Sequence, residues 1–148
     1  MKENRLINRI IDANINRTKE GLRVCEEVVR FILEDSRLTY DFKRARHKIA
    51  DLSKRFLPSA KIIKERDSTK DIGRDIHVDE LKRKNWQDIF FANIQRVKES
   101  IRVLEEFSKL KDTRIALDFK RMRYNIYEFE KRAIKKISSL CNYRQKDL

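Results

Sequence analysis

A stretch of fifteen residues occurs twice in this chain. Residues 13–27, ANINRTKEGLRVCEE, and residues 92–106, ANIQRVKESIRVLEE, are identical at ten positions with an offset of 79. A second block, DSRLTYDFKRAR at 35–46, returns as DTRIALDFKRMR at 112–123, with an offset of 77 and seven of twelve positions identical. Two matched blocks in the same order mark an internal duplication, with two residues lost from the second copy between them. Whatever one half folds into, the other half must fold into as well.

The repeated unit reads as helix, tight turn, helix. In the first copy Ile7, Ile10, Ile11, Asn14, Gly21, Val24, Cys25, Val28 and Ile32 recur at helical spacing, and Trp86, Ile89, Phe90, Asn93, Ser100, Val103, Leu104 and Phe107 match them in the second. The return helices carry the stripes Leu38, Phe42, Ala45, Ile49, Leu52, Phe56 and Ile115, Phe119, Met122, Ile126, Phe129. Asp35-Ser36 and Asp112-Thr113 are suited to cap them. With two glycines and one proline in 148 residues, the chain has few turn formers for a sheet. The expected fold is all-α: an antiparallel helical bundle of two tandem helical-hairpin repeats with pseudo-twofold symmetry. One domain is expected over 1–148, with repeat one at 4–57, a linker at 58–82 and repeat two at 83–141. Pro58 should end the first copy. Residues 59–78 lack helical periodicity and form the one long connection, a kind of loop that is usually functional or disordered.

No apolar run approaches the ~20 residues needed to cross a bilayer, and the N-terminus has no secretory core. Cys25 and Cys141 suggest neither a disulfide framework nor a zinc site. A soluble, reducing, cytoplasmic setting is expected. The net charge of +13 calls for an anionic partner: nucleic acid, a membrane surface or phosphorylated small molecules.

Several polar residues do not suit a plain bundle. Asn14 falls in the middle of its apolar stripe and Arg17 to one side of it, and Asn93 and Arg96 repeat the arrangement. A buried guanidinium needs an anion, which is either a carboxylate network inside the bundle or an anionic ligand. Gly21 and its counterpart Ser100 suit close helix packing or room for a ligand. Glu20, Arg23, Glu27 and Arg30 form a ladder that Glu99, Arg102, Glu106 and Lys109 copy, by default a solvated one. Arg46 and Arg123 edge the return stripes. His47, matched by Tyr124, reads as a packing residue, Cys25, matched by Leu104, as a small core hydrophobe, and Trp86, matched by Ile7, as core. The linker string RDSTKDIG, residues 66–73, gathers Arg66, Asp67, Ser68 and Asp71. Two carboxylates beside a hydroxyl could hold Mg²⁺, or the string is only a turn.

Together the strings IDANINRTKEGLRVCEEVVRF, KRARH, ERDSTKDIG and FANIQRVKESIRVLEEFSK resemble a small bacterial family, the strictly monofunctional hydroxymethylpyrimidine-phosphate kinase of thiamine biosynthesis. The resemblance spans roughly residues 5–130 in the family's order. That domain is often fused ahead of thiamine-phosphate synthase; here the chain stops after the domain, so a stand-alone form is expected, with that enzyme a possible functional partner. Where the family's linker carries threonine after Arg-Asp, this chain has Ser68, and either hydroxyl could serve a metal.

The resemblance implies ATP- and Mg²⁺-dependent phosphorylation of 4-amino-5-hydroxymethyl-2-methylpyrimidine phosphate to the diphosphate. The chain has no GxxxxGK[ST], GxGxxG, HRD or DFG element, so a kinase site here must be built from helices. On this reading Arg17, Arg96 and Arg66 are the expected catalytic residues. Asn14, Asn93, Glu20, Arg23, Glu99, Arg102, Arg46 and Arg123 are expected to bind substrates, and Asp67 and Asp71 to hold the metal. Arg17 and Arg96 are expected to face each other, buried, near the pseudo-twofold.

Two other classes stay open. A helical nucleic-acid-binding module would suit the charge, but acids interleave with bases along every helix and the aromatics sit in the apolar stripes. A non-catalytic scaffold domain of a thiamine enzyme would suit the fusion. The expected partners are therefore ATP and the phosphorylated pyrimidine, with no nucleic acid, no membrane, and a homodimer left open.

Overall fold

The computed structural model describes residues 2–56, 59–75 and 81–146, without the side chains of 56, 59 and 143–146. Five α-helices make up the regular structure, and no strand occurs among the described residues. They are α1 (Lys2–Phe31), α2 (Ser36–Phe56), α3 (Ser59–Glu65), α4 (Trp86–Ser108) and α5 (Thr113–Lys146). None is long and apolar enough to cross a membrane. The hairpins α1–α2 and α4–α5 arise where expected. Asp35 caps α2 by accepting from the Leu38 amide at 2.9 Å, and Asp112 caps α5 by accepting from the Arg114 amide at 2.9 Å. Phe31 ends α1, and its counterpart at offset 79 is Leu110, whereas α4 stops at Ser108. The two residues lost from the second copy are taken from this helix end. The first turn holds Glu34 at φ 52°, in the left-handed region.

The return stripes form the core largely as read. Leu38, Phe42, Ala45, Ile49 and Leu52 of α2 are buried, as are Ile115, Phe119, Met122 and Ile126 of α5, with Phe129 packed against them. The stripes of α1 and α4 are less complete. Ile10 and Val24 are half-buried, while Ile32 and Ile89 are exposed. His47 is exposed rather than packed, because it falls on the solvent side of α2 between the buried Ala45 and Ile49. Cys25 is fully buried, with its thiol pushed far above the usual range by desolvation.

The helices α1 and α4 run antiparallel and share the most extensive contact in the molecule. At Gly21 a Cβ would meet Val97 Cγ2 at 2.7 Å and the Asn93 carbonyl oxygen at 3.1 Å. Close helix packing therefore explains the mid-helix glycine. One turn away, Thr18 Oγ1 lies 2.7 Å from Ser100 Oγ, both fully or nearly buried. These two contacts exchange under the repeat offset: Gly21 corresponds to Ser100, and Thr18 to Val97. On the opposite layer Arg55 pairs with Asp118 at 3.8 Å, and Arg132 with Asp41 at 2.5 Å. The offset of 77 turns one of these pairs into the other.

The connection departs from the reading of its sequence. Residues 59–65, expected to be aperiodic, form α3. A helix of under two turns needs only one apolar anchor, here the buried Ile62, so no periodic stripe could announce it. Pro58, His77 and residues 76–78 lie outside the described residues.

Candidate functional site

The connection is fastened to α1 by a ladder of side-chain bonds. Asn8 Nδ2 donates to Glu65 Oε2 at 2.8 Å, and Arg9 Nη2 donates to the Asp67 carbonyl oxygen at 3.4 Å. Between them Arg66 grips Asp12 in a bidentate way, with Nε to Oδ2 and Nη2 to Oδ1 both at 2.7 Å. Planar guanidinium–carboxylate pairs of this kind fix orientation as well as distance. Lys111, in the turn before α5, donates to the Asn8 amide oxygen. Its own ammonium pKa is lowered, first by burial and then by nearby Lys61, with Glu65 opposing.

This fastening makes a cleft of about 680 Å³ between α1 and the connection. Leu6, Ile10 and Ala13 form an apolar wall. That is why Ile10 is only half-buried: it faces the cleft instead of the core. Asn14, Arg17 and Glu20 follow along the same strip of α1, and Arg66, Asp67, Ser68 and Asp71 face them from the connection. Seven polar residues singled out in the sequence therefore line one cavity: Asn14, Arg17, Glu20, Arg66, Asp67, Ser68 and Asp71.

Both linker aspartates sit in Asx-type turns. Asp67 Oδ1 accepts from Thr69 Oγ1 at 3.1 Å and the Lys70 amide at 3.3 Å, while Asp71 Oδ1 accepts from the Gly73 amide at 2.9 Å. The Thr69 hydroxyl, the Lys70 amide and the charges of Lys70 and Arg9 hold the Asp67 carboxyl below its usual range. It is therefore anionic at neutral pH. No group of three or more His, Cys, Asp or Glu side chains is placed to hold a metal among the described residues. Magnesium commonly takes only one or two carboxylates and completes its shell with water and substrate phosphates. Asp67 and Asp71 in one cleft fit that requirement.

The arginines correct the sequence reading. Arg17 and Arg96 are exposed, and only Arg17 lines the cleft. Each lies at the flank of its stripe, from where a long side chain carries its head into water. Arg17 Nη1 reaches the Asn14 amide oxygen at 3.5 Å, the outer limit of a hydrogen bond. Asn14 and Asn93 donate to the carbonyls four residues back, Ile10 and Ile89, each at 2.8 Å. Asn93 does not line the cleft.

The buried ion pairs lie elsewhere. Glu26, 2% exposed, accepts from Arg46 Nε at 2.9 Å and faces Arg23 at 3.5 Å. Glu105, 4% exposed, accepts from Arg123 Nε at 2.9 Å and faces Arg102 at 3.0 Å. So Arg23, Arg46, Arg102 and Arg123 first of all neutralise two buried carboxylates. Glu20 and Glu27 carry the ladder in the sequence, whereas the buried carboxylate is Glu26. The signal was present, since Glu26/Glu105 and Arg46/Arg123 are identical pairs at matched positions. Asp12 and Asn8 carried no such signal, having no identical counterparts. A second groove between α4 and α5 is lined by Glu99, Arg102 and Arg123 together with Gln95, Lys98 and Tyr127.

The ThiD2 family model matches residues 9–132, which takes in most of both hairpins and the connection between them. The chain belongs to the ThiD2 family. Among curated proteins it resembles the thiamine-phosphate synthase of Synechocystis sp., 39% identical over 125 residues, covering 84% of this chain and 35% of that one. The thiamine-phosphate synthase of Nostoc punctiforme is 40% identical over 126 residues, covering 84% and 34%. That of Rhodopirellula baltica is 36% identical over 126 residues, covering 84% and 33%. The ThiD2 chain thus spans about a third of the length of these relatives. No solved structure matches it significantly.

Proposed function

We propose that this ThiD2 chain acts in thiamine biosynthesis as a kinase that converts 4-amino-5-hydroxymethyl-2-methylpyrimidine phosphate to its diphosphate at the expense of ATP. The observation that carries the reading is the α1–connection cleft, where Asp67, Asp71, Arg17 and Asn14 share one surface. Family membership and relatives named thiamine-phosphate synthase favour the pathway.

An oxygen of the acceptor phosphate attacks the γ-phosphorus of ATP, and the bond to the β–γ bridging oxygen breaks, leaving ADP. The acceptor oxygen is already ionised at neutral pH, so no general base is needed. What remains is to bring two polyanions together and offset the charge of the transferring group. Asp67 and Asp71 would hold Mg²⁺, which when bound supplies positive charge to phosphate oxygens. Arg17 supplies a planar fork for phosphate, and Asn14 steadies it. The Arg66–Asp12 pair keeps the connection closed over α1, which makes Arg66 a positioning residue in this geometry.

Because Arg17 is exposed, an acceptor lacking phosphate leaves no buried charge unpaired. Discrimination against the free alcohol then rests on lost phosphate contacts and on its hydroxyl, which, unlike a phosphate oxygen, is not ionised at neutral pH and finds no general base here. We also infer that an approximate twofold relates the hairpins, supported by the two exchanged contact pairs. The test is a coupled assay of ADP release and diphosphate formation from ATP, Mg²⁺ and the pyrimidine phosphate. Thermal shift with ATP–Mg²⁺, pyrimidine phosphate and RNA runs in parallel. No diphosphate, with stabilisation by RNA alone, would replace the kinase with a nucleic-acid-binding module.

A further inference from the structure

The cleft contains the aspartates but no aromatic side chain among the residues lining it. Both substrates of the proposed reaction carry a planar heteroaromatic ring as well as phosphate. The groove between α4 and α5 has what the cleft lacks. It encloses about 410 Å³, within the range of small-molecule sites, and Lys98, Arg102, Arg123 and Tyr127 line it with Gln95 and Glu99.

Each cation there is held in place. Lys98 pairs with Glu130 at 3.0 Å, Arg102 with Glu105 and Glu106 at 3.0 Å each, and Arg123 with Glu105 at 2.9 Å. Arg123 Nη1 also donates to the Tyr127 hydroxyl at 3.2 Å. The rings of Tyr124 and Tyr127 meet edge to face, with centroids 5.8 Å apart and planes at 85°. The Arg123 guanidinium lies 5.3 Å and 5.9 Å from their centroids, and the Lys98 ammonium 5.7 Å from that of Tyr127. The ring faces and the cations form one surface.

The duplication supplies a control. The first copy keeps the three cations as Lys19, Arg23 and Arg46, but has His47, Ala50 and Ser53 where the second has Tyr124, Tyr127 and Glu130. The pairing of arginines to a buried glutamate is common to both copies and does not require tyrosines. Nor does the core, since Tyr124 is 58% and Tyr127 41% exposed. The aromatic pair is present in one copy alone, beside three cations that glutamates orient.

We propose that the α4–α5 groove binds a planar heteroaromatic ring carrying a phosphate, stacking the ring on Tyr127 and holding the phosphate with Lys98, Arg102 and Arg123. The assignment rests on the kinase reading for the sources of that chemistry, the adenine nucleotide or the pyrimidine phosphate. Calorimetric titration of the full chain with AMP, the pyrimidine phosphate and inorganic tripolyphosphate separates them. Tyr127→Leu should weaken one or both ring phosphates by about tenfold, as the loss of an aromatic stacking partner does, and leave tripolyphosphate unchanged. Tyr127→Phe, which keeps the ring, should stay within about twofold of wild type on the same scale. The ligand that loses affinity names the occupant.

Unchanged affinity for both ring phosphates in Tyr127→Leu overturns the proposal, as does an equal loss for tripolyphosphate. A Tyr127→Phe defect as large as that of Tyr127→Leu also overturns it, because the hydroxyl's hold on Arg123 would then be the only role. If wild type forms diphosphate and Tyr127→Leu binds normally, the groove assignment fails and the kinase survives. If wild type binds neither ring phosphate, both fail.

Discussion

The hydroxyls of Thr18 and Ser100 meet at 2.7 Å inside the crossing of α1 and α4, and the same crossing leaves no room for a Cβ at Gly21. The obstructing atoms are a backbone oxygen of Asn93 and the stiff, fully buried Val97. Gly21→Ala should therefore destabilise the chain by about 1–2 kcal/mol, despite alanine's better helix propensity. Urea unfolding of Gly21→Ala, Val97→Ala and the double variant checks it. A favourable coupling of about 1 kcal/mol in the cycle is expected, since removing Val97's methyls makes the space.

Glu26 and Glu105 are buried carboxylates paired with Arg46 and Arg123. Arg46→Met should cost about 2–4 kcal/mol, because it strands a buried charge that Arg23 neutralises only partly. Replacing both partners, Arg46→Met with Glu26→Leu, should restore most of the loss. Chemical denaturation of the single and double variants decides between this and a pair of no consequence.

The connection is expected to open when the Arg66–Asp12 clamp is cut. Arg66→Gln and Asp12→Asn should both speed limited proteolysis between residues 66 and 75 and lower kinase turnover together. An Asp12→Asn variant that opens the connection yet turns over normally, beside an inactive Arg66→Gln, would instead make Arg66 a direct phosphate ligand.

Asp112 caps α5, and amide and side-chain donation from Arg114 hold its carboxyl below the usual range. Its folded pKa is depressed relative to the unfolded chain. The stabilisation is therefore present above the ordinary carboxylate pKa and is lost as pH falls through the lower folded value. Asp112→Asn keeps a cap acceptor without the titration, so its melting temperature should fall less steeply than wild type on the acid side. Thermal melts across the acid range measure the difference.

Arg17→Lys replaces a fork with a point charge. Loss of one bidentate phosphate contact should lower kcat/KM for the pyrimidine phosphate by roughly tenfold or more, and any activity on the free alcohol, which is expected to be weak, should change little. Equal losses on both acceptors would remove Arg17 from the acceptor phosphate.

The hairpins were legible because a long helix announces its buried face many times over: Leu38, Phe42, Ile49 and Leu52 repeat one message. The capping aspartates were legible because caps are local. The connection was not, since α3 rests on Ile62 alone and its fastening to Asn8, Arg9 and Asp12 joins residues more than fifty positions apart. The cleft was half legible: its chemistry-bearing residues stood out, but their grouping needed that fastening. Arg17 and Arg96 misled because a helical wheel places Cβ atoms, and the flexible stem of an arginine can take the charge away from where its Cβ points.

The fastening has a further consequence. A duplicated frame on its own would offer two equivalent surfaces, which suits two identical ligands. The proposed kinase reaction has a donor and an acceptor that differ. The single tether between the copies ties itself through Glu65, Arg66 and Asp67 to α1, and so dresses one of two kindred faces with carboxylates. The link between the copies is thus, beside the tyrosines of the second copy, a feature that makes the halves unlike, and it would let a repeated helix pair serve the proposed asymmetric reaction without a second fold.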